Sequence, residues 1–100
     1  MNTVPLKLVT IIAERFLKDR LIEIIQDHQA KGFTITDVSG EGSRGVRASE
    51  WEGHNIKIET VVSAEVADKI VESVAERYFQ HHAVIVYTQD VHVVRGDKYI

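Results

Sequence analysis

Cysteine is absent from the 100-residue sequence. Its absence excludes a disulfide framework, a thiolate metal cluster and a cysteine nucleophile, and fits a reducing compartment. Proline occurs once and glycine six times. Both residues weaken regular structure, so strands and helices can run here with few interruptions. There is no run of the ~20 apolar residues that a membrane span needs. The most apolar stretch, Leu6 to Ala13, is interrupted by Lys7 and Thr10 and followed by Glu14 and Arg15. It also lacks the charged start and small-residue cleavage site of a secretory signal. A basic excess is missing too: 12 Lys and Arg stand against 15 Asp and Glu, a net charge of −3. That argues against a nucleic-acid binder. The expectation is a cytoplasmic protein of one domain, residues 1–100. Its 44% hydrophobic residues are enough to build a core.

What is present falls into alternating periods. Leu6 to Ala13 reads as a buried strand. From about Arg15 the apolar positions Leu17, Leu21, Ile24, Ile25 and His28 recur at steps of three and four, which defines one helix face. That helix is expected to stop at Lys31-Gly32, with glycine in the left-handed conformation. Phe33, Ile35 and alternating threonines give a strand to about Val38. Ile56, Ile58, Thr60 and Val62 alternate with Lys57 and Glu59 in another. Ser63 is an expected N-cap, and Val66, Ile70, Val74 and Tyr78 carry a helix to about Gln80. Ala83 to Thr88 is a strand, which Val91 to Val94 either extends or accompanies.

The order strand, helix, strand, strand, helix, strand makes an α+β, ferredoxin-like βαββαβ sandwich, an antiparallel four-stranded sheet with two helices on one face. The first and last strands are apolar along most of their length, as strands buried on both faces are. Two helices cover only one face, so the other is expected to meet further copies, and a closed trimer suits a curved sheet.

Four of the six glycines, Gly40, Gly42, Gly45 and Gly53, fall between the two middle strands. Loops beyond about 12 residues in a compact domain are uncommon and often functional. Glycines let a backbone approach an anion. Ser43 offers a hydroxyl, and Arg44 and Arg47 offer bidentate forks for phosphate oxygens. The segment is neither a Walker A sequence nor a dinucleotide fingerprint. Composition alone favours a solvated loop whose arginines pair with Glu41, Glu50 and Glu52. Trp51 either meets a partner or packs at the loop base.

The order of these residues resembles the PII-like signalling proteins, in particular the SbtB and carboxysome-associated branch. The resemblance is carried by Lys7-Leu8-Val9-Thr10-Ile11, Ala30-Lys31-Gly32-Phe33-Thr34, Val74 to Phe79 and Ala83 to Tyr87. Its most specific part is Gly40-Glu41-Gly42-Ser43-Arg44-Gly45-Val46-Arg47, which matches G-x-G-S-R-x-V-R. It implies a homotrimer with adenine nucleotides (AMP, ADP, cyclic AMP or ATP) in clefts between subunits, and a T-loop over about residues 39–54. By that resemblance the nucleotide site comprises Gly42, Ser43, Arg44 and Arg47 on the phosphates and Lys31, Gly32, Phe33 and Thr34 at the loop base. Val84, Ile85, Val86 and Tyr87 join it from the partner side of the cleft. Val46 and Trp51 are the partner-binding candidates. Bicarbonate is a further implied ligand, and the implied partners are a bicarbonate transporter, which would place the protein at the membrane periphery, or a carboxysome component.

The chain also departs from the pattern. Other PII proteins carry a glycine-rich loop with a lysine between the second helix and the last strand. Phe79-Gln80-His81-His82-Ala83 has neither, which points to a mono- or diphosphate rather than a magnesium triphosphate. The uridylylated tyrosine has no counterpart between Gly40 and Gly53, and a cysteine-bearing tail is not expected. Ligand hydrolysis is therefore not expected, and no residue is assigned a catalytic role. The runner-up is a CutA-like trimer linked to metal tolerance, although His54, His81, His82 and His92 lack the i, i+4 spacing of a zinc helix and no metal is expected.

Overall fold

The computed structural model describes residues 2–40 and 55–100. The elements are β1 (Thr3–Glu14), a 3-10 turn (Arg15–Leu17), α1 (Lys18–Asp27), β2 (Thr34–Val38), β3 (Asn55–Val62), α2 (Ala64–Tyr78), β4 (Ile85–Val94) and a terminal 3-10 turn (Gly96–Tyr99). The four strands form one sheet in the order β2-β3-β1-β4, every neighbouring pair antiparallel. This is the expected βαββαβ sandwich. β4 is one continuous strand, and β1 is longer than its apolar run.

The pleat divides β1 between two environments. Val9, Ile11 and Ala13 turn to the helices and join Ile56, Ile58 and Val62 of β3 in the core. Leu21, Ile24 and Ile25 of α1 and Ala67, Ile70, Val74 and Tyr78 of α2 complete it. The step-of-four spacing in α2 puts its apolar side chains on one stripe. Ser63 caps that helix, its Oγ accepting from the Val66 amide at 3.3 Å.

The end of α1 differs from expectation. Gln29, not Gly32, takes the left-handed conformation, with φ 67°. The Gln29 amide donates to the Gln26 carbonyl at 2.9 Å and the Ala30 amide to the Ile25 carbonyl at 3.0 Å. These two bonds are a Schellman closure, and Ala30 packs against the core as that motif requires. The helix stops four residues early because its apolar stripe ends at Ile25, and capping there leaves Ala30 to Phe33 free to run back to the sheet.

Beyond Lys7, β1 has lost β3 and pairs only with β4. The single proline, Pro5, lies in this one-sided segment, where a missing ladder donor is tolerated. The terminal 3-10 turn folds back on it. A Cβ at Gly96 would stand 2.6 Å from the Val4 Cβ, so only glycine fits there. In the same region Lys7 donates to Asp90 across the β1–β4 ladder.

Two stability predictions rest on these contacts. Gln29→Gly removes the cost of a left-handed L-residue and raises unfolding stability by about 0.5–1 kcal/mol, while Gly32→Ala, with open space at its Cβ, does not lower it. Denaturant unfolding of the two variants measures both. The Lys7 hydrogen bond, then the Lys7 charge and that of His92, hold the Asp90 carboxyl below its ordinary value. The pair therefore stabilises the protein above the unfolded pKa of about 4 and fades as pH falls through the lower folded value. Asp90 is solvent-exposed, so the effect is small, and thermal unfolding between about pH 5 and pH 3 declines less steeply in Asp90→Asn.

Candidate functional site

The sheet face away from the helices is open. Register places its side chains in cross-strand rows. Thr36, Lys57, Ile12 and Ile85 form one, Thr34, Glu59, Thr10 and Tyr87 the next, and Val61, Leu8 and Gln89 a third. Ile85 is 53% exposed and Tyr87 43%. Leu8, Ile12 and Val61 are half-buried within a single chain. The face is mixed: Leu8, Ile12, Val61 and Ile85 flank the Thr34–Glu59–Thr10–Tyr87 row, with Thr36, Lys57 and Gln89 beside them.

Thr34 and Tyr87, candidates drawn from two separate stretches of sequence, share one row on this face. They stand at opposite edges of the sheet, three strand spacings or ~14 Å apart. One chain therefore does not bring them to a common ligand. Lys31, Gly32 and Phe33 precede β2 and are exposed. The Thr60 hydroxyl fixes that approach by donating to the Gly32 carbonyl at 2.6 Å. Val84 and Val86 turn the other way and pack against the core, which leaves Ile85 and Tyr87 as the two of these candidates that face the open side. Gly42, Ser43, Arg44, Val46, Arg47 and Trp51 lie outside the described residues.

Register also adds residues that sequence reasoning did not single out. Glu59 and Val61 share the open face with Thr34, and alternation alone could not say which strand they would face. Asp37 accepts from the Arg15 guanidinium at 2.5 Å, joining the end of β2 to the turn after β1. His82 lies against Tyr78, edge-on with ring centroids 5.5 Å apart, and 6.0 Å from Phe16. It closes the α2–β4 connection. Among the described residues no three His, Asp or Glu side chains converge as a metal site would require, and no helix is long and apolar enough to cross a membrane. A shallow depression of about 330 Å³ beside Lys7, Ala64, Asp90 and His92 lies away from every candidate above.

The chain matches the family model for nitrogen regulatory protein P-II over residues 6–98. It is similar to a PII-like signaling protein from Thermus thermophilus, at 56% identity over the whole of both chains and a TM-score of 0.88. It is also similar to CPII of Thiomonas intermedia, a nitrogen regulatory PII-like protein solved with ADP, AMP and bicarbonate. There the identity is 27%, the match covers 98% of this chain and 96% of that one, and the TM-score is 0.88. A second CPII structure, with ADP and bicarbonate, matches at 28% identity over 99% and 98% of the two chains, with a TM-score of 0.87.

Thr10 gives the open face its own test. The residue is 1% exposed and its hydroxyl has no hydrogen-bond partner among the described residues. An unsatisfied buried hydroxyl costs about 1–3 kcal/mol, so Thr10→Val, which keeps the shape, raises stability by about 1 kcal/mol in denaturant unfolding. A fall in stability instead would show that the hydroxyl is satisfied in solution.

Proposed function

From the premise that the chain belongs to the nitrogen regulatory P-II family, we propose that it is a trimeric adenine-nucleotide sensor rather than an enzyme. The observation that carries this reading is the separation of Thr34 and Tyr87 onto opposite edges of one open sheet face. Two copies placed edge to edge close a cleft that neither has alone. In it Gly32, Thr34, Glu59 and Val61 come from one copy, and Ile85 and Tyr87 from the next. Three such clefts arise in a closed ring, and the ring covers the apolar face that the helices leave open.

Glycines at 40, 42 and 45 let the backbone of the following segment approach the phosphates, and Arg44 and Arg47 supply the counter-charge. Charge-assisted hydrogen bonds of roughly 1.5–3 kcal/mol each offset the entropy of ordering such a segment. Ligand identity then selects a loop state that a partner reads through Val46 and Trp51. The ADP, AMP and bicarbonate held by CPII support a mono- or diphosphate as the ligand and inorganic carbon as the regulated substrate. The G-x-G-S-R-x-V-R segment supports the same assignment to the SbtB-like branch, with a bicarbonate transporter or carboxysome component as the partner.

Titration calorimetry with AMP, ADP, cyclic AMP and ATP, with and without bicarbonate, tests the reading. AMP or ADP binds, raises the melting temperature, and loses most of that shift in Arg47→Ala. Stoichiometric uptake of copper or zinc with no response to any adenine nucleotide would overturn it.

A further inference from the structure

β2 is the least supported strand of the fold. It has five residues and lies at the sheet edge, with β3 as its one ladder neighbour among the described residues. Outside that ladder three tethers from the described residues hold it. Before its first residue, Thr60 holds the Gly32 carbonyl. At its centre, Ile35 packs against the core. At its end, Asp37 accepts from Arg15, which sits in the turn immediately after β1. The same short strand carries the ligand candidate Thr34 at its start, follows directly on the candidate Gly32, and leads through Val38 to Gly40 at its finish.

An exposed ion pair contributes little against the stability of a whole domain. Local opening of an edge strand begins near zero cost, so the same energy decides whether the Thr36–Val38 end stays docked. The Lys7–Asp90 pair has the same chemistry without that leverage. It joins two long strands inside a ladder of ten register pairs, from Thr3–Val94 to Ile12–Ile85.

We propose that Arg15 and Asp37 are positioning residues. Their ion pair fixes the Thr36–Val38 end of β2 against the β1 turn, and through that strand fixes Gly32 and Thr34 for the ligand. The ligand half of this inference rests on the nucleotide reading above; the tether itself does not.

Hydrogen exchange on the ligand-free protein tests the tether. Asp37→Asn and Arg15→Gln speed exchange of Thr36 to Val38 and their β3 neighbours about fivefold, equivalent to ~1 kcal/mol. Protection of Ile11 and Ile58 stays as in the wild type. The charge exchange R15D/D37R restores the slow rate, and Asp90→Asn, the control ion pair, leaves it unchanged. Calorimetry with ADP tests the consequence: both single variants weaken ADP roughly fivefold at unchanged stoichiometry, the charge exchange recovers it, and Asp90→Asn does not alter it. Unaltered exchange at Thr36 to Val38 in both single variants overturns the proposal, whether or not ADP binds. Faster exchange with undiminished ADP affinity overturns the positioning role. A wild type that binds no adenine nucleotide overturns the nucleotide reading and the ligand half with it, while the exchange measurement still decides the tether.

Discussion

A four-stranded sheet has two faces, and the two helices here can cover only one. Everything else in the molecule follows from how that imbalance is handled. The covered face is a continuous apolar layer, with Val9, Ile11, Ile56 and Ile58 under α1 and α2. The opposite face repeats the pattern at lower density, with Leu8, Ile12, Val61, Ile85 and Tyr87 left wholly or partly open to solvent. Burying a fully exposed side chain of this size is favourable by about 1.5–3 kcal/mol, and these five, three of them already half-covered, retain part of that gain for whatever covers the face. The polar row Thr34–Glu59–Thr10–Tyr87 crosses that face and gives it direction. A purely apolar surface would set no register between copies.

The strands are unequal in the same way. β1 and β4 are long and mutually paired over ten positions, while β2 is short and held on one side. β4 is an outer strand too, but its long ladder with β1 makes it the better supported edge. β2, which contributes least to the core, leads to the glycine-rich segment. An edge strand can open locally without disturbing the core, because local and global stability are separate quantities.

The architecture was legible from hydrophobic period alone: the step-of-four run from Val66 to Tyr78 and the alternation from Ile56 to Val62 place α2 and β3 correctly. The C-terminus of α1 was not. A Gly signal at position 32 outweighed the weaker fact that the apolar stripe had already ended at Ile25, and nothing in a glutamine announces a left-handed residue. Candidate ligand residues were legible in part. Which alternate residues of Ala83 to Tyr87 face the open side depends on register with β1, and register is a non-local property. Glu59, Arg15 and Asp37 escaped for the same reason, since each matters through a strand or turn distant in sequence.

A site divided between copies links ligand to assembly. On the proposed arrangement the ligand touches β2 of one chain and β4 of the next, so it has no complete site on a separated chain. Whatever binds only the assembled form stabilises that form, by about 2.7 kcal/mol per site at a hundredfold excess over Kd. The apolar face then need not hold the ring alone, and residual polarity such as Thr10, which weakens a purely hydrophobic contact, becomes tolerable. The same coupling explains why no single stretch of this sequence carries a full nucleotide fingerprint: each chain needs only two half-sites, and the sheet between β2 and β4 sets the distance at which they face their complements.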